Sequence, residues 1–168
     1  MRSRKPNRLQ YYDYSNAGWY YVTICTKDHK AHFGIVEKDT MVLNEIGKIA
    51  DKCWEKIETL HKNIELDNYV VMPNHIHGII VINDVGDANF ASPTPDRTKM
   101  ELCKLIQQFK RAVSLQIKSM LMKQDFKWQR SFYERIIRNE NELFNIRKYI
   151  EQNPFKWELE KGSENLVL

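Results

Sequence analysis

Two kinds of hydrophobic pattern alternate along the chain, and the first of them predicts strands. Residues 19–26 are almost all aromatic or β-branched, a composition that predicts a strand. Residues 64–72 and 75–83 are further apolar runs of strand length. Pro73 and Asn74 separate these two runs with a turn signal, so we expect the strands to pair as an antiparallel hairpin.

The second period, with apolar residues three and four positions apart, predicts three helices. The first begins at the cap residue Asn44 and runs to about His61, and the second covers about 98–122. Asn139 can cap the third helix, which should end at Pro154 because proline disfavours a helical backbone in the residue before it.

Two further segments complete the predicted order. A short hairpin or irregular segment is expected over 32–43, with a turn at Lys38 and Asp39, and a strand is expected over 128–137. Without the short segment and the last helix, the order of elements is βαββαβ. This order is typical of an α+β, ferredoxin-like antiparallel sheet with both crossover helices on one face. The last helix is then a C-terminal addition to that sheet.

Length and composition favour one folded domain over residues 1–168. The chain is 42% hydrophobic and 29% charged, which is typical of a globular and not of a disordered protein. We predict a basic N-terminal arm over 1–17 and a flexible connector over 84–97. No apolar run approaches the length of a membrane span or a secretion signal, so we expect no membrane contact and a cytoplasmic location.

Cysteine chemistry is not expected to define a functional site. Cys25, Cys53 and Cys103 are far apart and form no CxxC pair. This spacing argues against a disulfide framework and against a zinc ribbon. Cys25 and Cys53 lie in apolar patterns and are expected to act as small core residues.

Positive charge is concentrated in places that could contact phosphate. The net charge of +4 and the isoelectric point near 8.9 say little by themselves. A basic arm and a basic helix face fit a nucleic-acid backbone, although a solvated tail and a solvated helix face would carry the same charges. The DNA-binding residues predicted on this basis are Arg2, Arg4, Lys5, Arg8, Lys104, Lys110, Arg111, Lys127 and Arg130.

The most informative chemical pattern is His75-Ile76-His77 on a predicted strand. Side chains two apart in a strand project from the same face, so both imidazoles can reach one metal ion. Two histidines that are merely hydrogen-bonded in a half-buried sheet would show the same pattern. Other histidine sites are excluded, because a histidine-triad hydrolase needs a further histidine where this chain has Ile79, and the HExxH of zincins is absent.

Around the two histidines, residues 71–79 (VMPNHIHGI) resemble the His-hydrophobe-His motif of single-tyrosine HUH transposases. More closely, the chain resembles REP-associated tyrosine transposases and their insertion-sequence relatives, through several motifs in the same order. The further matching segments are Arg8-Leu9, Tyr12-Asp13-Tyr14, 18–23 (GWYYVT), 128–133 (WQRSFY), Tyr149-Ile150 and Asn153-Pro154.

The resemblance implies a metal-dependent endonuclease and transposase that nicks and rejoins single-stranded DNA next to a hairpin, through a 5′-phosphotyrosine link. Its nucleophile would be Tyr149, and its third metal ligand would be Asn153, beside His75 and His77. The spacing is compatible, since residues four apart share a helix face. Two imidazoles and an amide suit Mg²⁺ or Mn²⁺ in an open site. The expected partner is a single DNA strand with a hairpin, bound by a monomer or a homodimer.

Four alternatives accompany this hypothesis. Tyr149 could be a rim residue of the core, and Tyr133 is the rival nucleophile, although its aromatic strand context favours packing or base stacking. Asn153 could simply end a helix before Pro154. The protein could also be a DNA-hairpin-binding protein of the same fold without turnover.

Overall fold

The structure of the chain, a computed structural model, describes residues 18–83, 101–122 and 125–164. The predicted N-terminal arm and the predicted connector lie outside these ranges. Within them, the strands are β1 (Gly18–Cys25), β2 (Gly34–Glu37), β3 (Thr40–Leu43), β4 (Ile64–Val71), β5 (His75–Ile82) and β6 (Tyr133–Ile137). The helices are α1 (Glu45–Leu60), α2 (Glu101–Leu121), α3 (Glu140–Glu151) and α4 (Asn153–Glu164).

Four strands form one antiparallel sheet in the order β4-β5-β1-β6, as the ferredoxin-like prediction requires. β4 and β5 form the hairpin predicted around Pro73 and Asn74. β2 and β3 form a separate hairpin, whose turn residues Lys38 and Asp39 have φ angles of 48° and 59°. Positive φ at both positions gives the twist that suits a two-residue hairpin, so the predicted turn is confirmed.

The two faces of the sheet carry different helices. Tyr20, Val22 and Ile24 of β1 are buried in the main core together with residues of α1 and α2. Side chains alternate along a strand, so Tyr21 points to the other face, where Ile150 of α3 belongs to a smaller apolar cluster. The prediction that both crossover helices pack on one face is therefore confirmed. Among the described residues, no helix has the length and apolar character needed to cross a membrane.

Two of the helices begin at the asparagines predicted to cap them. The side-chain oxygen of Asn44 accepts a hydrogen bond from the backbone N–H of Gly47 at 3.0 Å. That of Asn139 accepts one from the backbone N–H of Glu142 at 2.9 Å. Each bond satisfies an amide that the helix leaves without an internal partner, which is why the helices start at these residues.

The last strand is shorter than the predicted 128–137. β6 begins at Tyr133, and Trp128 forms an isolated bridge outside the strand. The indole N–H of Trp128 donates to the carbonyl of Lys110 at 3.1 Å, and the Lys110 ammonium donates to the carbonyl of Gln129 at 2.9 Å. These bonds hold the segment against α2, so it joins the sheet only at Tyr133.

The C-terminal helix that was predicted to end at Pro154 is succeeded directly by a second helix. α3 ends at Glu151, and α4 begins at Asn153. Pro154 has no N–H to continue the hydrogen bonds of α3, but its fixed φ suits the first turn of a new helix. The backbone N–H of Lys156 donates to the carbonyl of Gln152 at 3.1 Å. The prediction was therefore right about the break and wrong about the segment after Pro154, which is helical.

The sheet packs tightly against α1 at Gly78, which provides a test of the fold. A Cβ atom there would lie 2.3 Å from Cζ2 of Trp54, and this ring is fully buried. We expect Gly78→Ala to lower the free energy of unfolding by about 2 kcal/mol, measured by urea denaturation. Gly18→Ala in β1 is the control, since its added methyl meets its nearest atom at 3.6 Å. Equal stability of the two variants would contradict this packing.

Candidate active site

His75 and His77 lie at the start of β5, on the sheet face that carries α3. Their ring centroids are 4.4 Å apart, as expected for side chains on the same side of a strand. Ile76 between them points the other way and belongs to the main core. The two imidazoles therefore form a pair on the face opposite α1 and α2.

A hydrogen bond determines which nitrogen of His75 carries the proton. Its Nδ1 atom lies 2.6 Å from the side-chain oxygen of Asn74, whose amide nitrogen donates to the carbonyl of His29 at 3.0 Å. Because the side-chain oxygen of Asn74 can only accept, this bond favours the tautomer of His75 that carries its proton on Nδ1. The lone pair of Nε2 is then available to a metal ion.

His77 is held in a similar way by side chains of β1. Its Nδ1 atom lies 2.7 Å from Tyr21 Oη and 2.9 Å from Oγ1 of Thr23, the residue directly across the sheet. The Thr23 hydroxyl donates to Tyr21 Oη at 3.3 Å, which leaves the Thr23 oxygen able to accept from His77 Nδ1. In that arrangement, Nε2 of His77 also presents its lone pair.

Burial keeps both imidazoles neutral. It lowers the pKa of His77 to about 3, with a further contribution from the charge of His75. It lowers the pKa of His75 to about 4, an effect that a hydrogen bond with Asn153 partly offsets and the charge of His29 increases. A metal ion binds only neutral imidazole, so at neutral pH neither side chain has to lose a proton first. Burial also raises the pKa of Tyr21 above its usual value, which keeps this phenol protonated.

Tyr149 and Asn153 complete the cluster from the C-terminal helices. The ring centroids of Tyr149 and His77 are 5.4 Å apart, and Tyr149 is 41% exposed. Asn153 is buried and hydrogen-bonds to His75. The prediction that both residues lie on one helix is wrong, because the break at Pro154 places them on α3 and α4. The structure nevertheless brings together all four residues predicted for the site.

The ligands available to a metal ion are few. No group of three or more histidine, cysteine, aspartate or glutamate side chains in the described ranges is placed to hold a metal ion. The third protein ligand implied by the sequence resemblance is the amide of Asn153, which lies beside His75. Tyr133, the rival nucleophile, contacts this cluster through Tyr21, with ring centroids 6.2 Å apart. The ring of Tyr149, in contrast, packs directly against the ring of His77.

A protein of Haemophilus influenzae strain Rd is 35% identical to this chain over 166 residues, which are 94% of this chain and 92% of the relative. The chain belongs to the same family as this protein. The Haemophilus protein is itself uncharacterised, so the kinship alone assigns no activity to the family. No protein-family model matches the chain.

The fold of this chain is similar to that of a transposase of known structure. The structure of a REP-associated tyrosine transposase bound to a REP hairpin matches with a TM-score of 0.54 and 20% identity, over 93% of this chain and 74% of that chain. The fold implied by the resemblance in sequence motifs is thereby confirmed. A protein of Deinococcus radiodurans R1, for which a transposase role has been suggested, has a TM-score of 0.48 at 18% identity, over 88% of this chain and 96% of that chain.

Hydrogen bonds between α3 and β4 fix the position of α3 and thereby of Tyr149. Arg147 Nε donates to Asp67 Oδ1 at 2.8 Å, and Arg147 Nη2 makes a second bond to Oδ2 of the same carboxylate. The side-chain amide of Asn68 donates to Glu151 at 2.8 Å. A bidentate arginine–carboxylate pair restrains both distance and angle, so it orients the turn of α3 that carries Tyr149.

This ion pair predicts a pH-dependent contribution to stability. Arg147 holds the pKa of Asp67 below its usual value, so the contribution is present above about pH 4 and is lost as the pH falls through the lowered pKa. Asp67→Asn should lower the free energy of unfolding at neutral pH by about 1 kcal/mol, a modest figure because Arg147 is partly exposed. Urea titrations should show this difference at neutral pH and a progressively smaller one as the pH falls below about 4.

The control for this prediction is Glu45→Gln, which breaks an exposed pair with Lys48 on α1. This change should not measurably alter stability at either pH, since exposed pairs are screened by solvent. If the free energies of unfolding of Asp67→Asn and the unmodified chain still differ by the same amount at low pH, the ion pair is not the cause of the difference.

The site also contains supporting residues for which no role was predicted. Lys156 Nζ lies 4.8 Å from the centroid of the Tyr149 ring, and the ring of Trp157 lies 5.8 Å from that of His75. These two could not be placed, because the helix was predicted to end before them. The ferredoxin-like strand order could have indicated that side chains of β1 lie beside the histidines, because β1 is the neighbour of β5 in such a sheet. The remaining supporting residues are Tyr21, Thr23 and Asn74.

The predicted DNA-binding residues differ in their distance from the histidine pair. Lys104 and Arg111 are exposed on α2, on the opposite face of the sheet. Lys127 and Arg130 are exposed between α2 and β6, near the end of β1 that lies beside the pair. Lys110 donates to backbone carbonyls of the same segment. The residues that lie outside the described ranges are Arg2, Arg4, Lys5 and Arg8.

Proposed function

We propose that the protein is a metal-dependent single-tyrosine transposase that nicks and rejoins single-stranded DNA beside a hairpin. The observation that carries the proposal is the contact of the Tyr149 ring with His77, next to the hydrogen bond between Asn153 and His75. Two further findings support it. One is the order of motifs in the sequence, and the other is a fold shared with a REP-associated tyrosine transposase bound to a REP hairpin.

The side chains of the cluster fit a divalent cation. His75 and His77 would supply the lone pairs of Nε2, and Asn153 would supply its amide oxygen. These three ligands are neutral, so the full charge of the ion remains available to a substrate phosphate. When bound, Mg²⁺ or Mn²⁺ neutralises and orients the scissile phosphate.

In the proposed reaction, Tyr149 Oη attacks the phosphorus atom of a DNA phosphodiester. A bond from the tyrosine oxygen to phosphorus forms, the bond from phosphorus to the 3′ oxygen breaks, and this oxygen takes up a proton. The phenol proton passes to solvent, which reaches the residue because it is 41% exposed. Rejoining is the reverse step, in which a 3′-hydroxyl attacks the phosphotyrosine. The covalent link conserves the phosphodiester, so rejoining consumes no nucleotide cofactor.

Lys156 is placed to assist the nucleophile. Its ammonium lies 4.8 Å from the centroid of the Tyr149 ring. A cation at this distance stabilises the negative charge that develops on the phenol oxygen as its proton leaves. A phenol becomes a good nucleophile only as its proton leaves, so this stabilisation favours attack on the phosphate.

A covalent-adduct assay tests the proposal. The full chain is incubated with a pool of hairpin-flanked single strands and Mg²⁺ or Mn²⁺, then denatured and separated by electrophoresis. A 3′ label should migrate with the protein, because a 5′-phosphotyrosine retains the 3′ fragment, and a 5′ label should appear on a shorter free strand. Removal of the metal with EDTA should abolish both products. Hairpin binding without an adduct in either metal would instead support a binding protein without turnover.

A further inference from the structure

A groove of about 520 Å³ lies between the end of β6 and the first turns of α3. It is bordered by β6 and α3, and α3 packs on the sheet face that carries the histidine pair. Arginine and asparagine side chains supply most of its polar lining. The polar residues of the lining are Arg135, Arg138, Asn139, Asn141, Glu142 and Asn145.

The charges in the groove favour an anion. The carboxylate of Glu142 accepts the backbone N–H of Arg138 at 2.9 Å and forms an ion pair with Arg135. The side chain of Glu142 is only 14% exposed, whereas that of Arg135 is 57% exposed and Arg138 is also exposed. The groove therefore carries two exposed guanidinium groups and one shielded carboxylate. Guanidinium matches phosphate in geometry as well as in charge.

The groove is connected to the proposed nucleophile along one face of the sheet. Arg135 lies opposite Tyr21 in the register of β6 and β1, and Tyr133, two residues earlier, points to the same face. The ring centroid of Tyr21 is 6.2 Å from that of Tyr133 and 6.4 Å from that of Tyr149. Tyr133 is 45% exposed. A line of tyrosine rings thus leads from Tyr149 to Tyr133, two residues before Arg135 of the groove.

We propose that this groove binds unpaired nucleotides of the DNA strand that Tyr149 cleaves, an inference that rests on the proposed function. Arg135 and Arg138 contact phosphates of the strand. The exposed ring of Tyr133 stacks on a base. The side-chain amides of Asn141 and Asn145 both donate and accept hydrogen bonds, as the base edges exposed by an unpaired strand require.

The dimensions suit a short single strand. From Tyr133 to Arg138 the chain advances about 17 Å at roughly 3.3 Å per residue. Stacked nucleotides lie about 3.4 Å apart along one strand, so roughly five of them span this distance. A duplex would offer phosphates to the arginines, but its Watson–Crick edges would be paired and closed to the asparagines.

The groove is tested by fluorescence anisotropy with a short labelled single strand, without metal so that no strand is cleaved. Arg138→Gln should weaken binding about tenfold and lower the slope of log affinity against log salt by about 0.7, because one phosphate contact is lost. Lys56→Gln is the matched control, since it removes one exposed positive charge from α1, on the opposite face. Its affinity and salt slope should stay close to those of the unmodified chain.

Asn145→Ala distinguishes contacts to bases from contacts to phosphates. It should weaken binding of the single strand and leave binding of a blunt duplex unchanged. Unmodified affinity of both Arg138→Gln and Asn145→Ala for the single strand would overturn the groove proposal. The adduct assay tests the proposed function separately. If the groove variants bind the single strand more weakly but the unmodified chain forms no adduct, the transposase proposal is wrong and the groove proposal stands.

Discussion

Replacing Tyr149 with phenylalanine should reduce the covalent adduct to background. The change removes the oxygen atom that would bond to phosphorus and keeps the ring that lies beside His77. Because the ring is retained and the residue is 41% exposed, we expect the free energy of unfolding and the affinity for single strands to be unchanged. Normal affinity without an adduct would separate loss of the chemical step from loss of binding.

Tyr133→Phe is the matched control for this variant. Tyr133 is similarly exposed, at 45%, and lies on the same sheet face, but among the described residues its ring contacts Tyr21 and not His77. Stacking does not need the phenol oxygen, so Tyr133→Phe should form the adduct at a normal rate. If Tyr133→Phe abolishes the adduct and Tyr149→Phe does not, the nucleophile is Tyr133.

The sheet could be predicted from the sequence because its signals are local. Runs of aromatic and β-branched residues indicate strands, and the break at Pro73 and Asn74 places the β4–β5 hairpin within a few residues. The common face of His75 and His77 follows from alternation alone, whatever surrounds the strand. None of these inferences requires knowledge of a distant partner.

α4 could not be predicted, because a proline signals the end of one helix and the start of another equally well. In this protein a new helix starts beside the proline, and a long-range contact accompanies that helix. The carboxylate of Glu158 accepts the backbone N–H groups of Lys38 at 3.2 Å and Asp39 at 2.6 Å, in the turn of the β2–β3 hairpin. These bonds join parts of the chain that are 119 and 120 residues apart. The position of Lys156 over the proposed nucleophile depends on the same helix.

The partners of the histidines depend on strand register, which no local pattern specifies. Thr23 lies directly opposite His77 only because β1 and β5 pair in the observed register. A shift of one residue would turn every side chain of β1 to the other face and remove both hydroxyls from His77 Nδ1. The motif that contains Tyr21 and Thr23 was visible in the sequence, but its contact with the second histidine was not.

Removing one imidazole should have the second largest effect on activity. We expect His77→Ala to slow adduct formation by roughly 10³-fold, since a bound metal supplies several kcal/mol to such a reaction and each 1.36 kcal/mol is a factor of ten. His75→Ala should have a similar effect, because both side chains would bind the same ion. Both variants should also bind Mn²⁺ more weakly than the unmodified chain in isothermal titration calorimetry.

His61→Ala provides the comparison for these two variants, because it removes an imidazole at the end of α1, away from the face of the histidine pair. It should change neither Mn²⁺ affinity nor the adduct rate. Urea denaturation checks that the variants remain folded. Unchanged Mn²⁺ affinity in His77→Ala would mean that the metal binds elsewhere. The neutral, Nδ1-bonded rings of His75 and His77 would then be two satisfied histidines of a half-buried sheet, and the pair would have no part in positioning the phosphate.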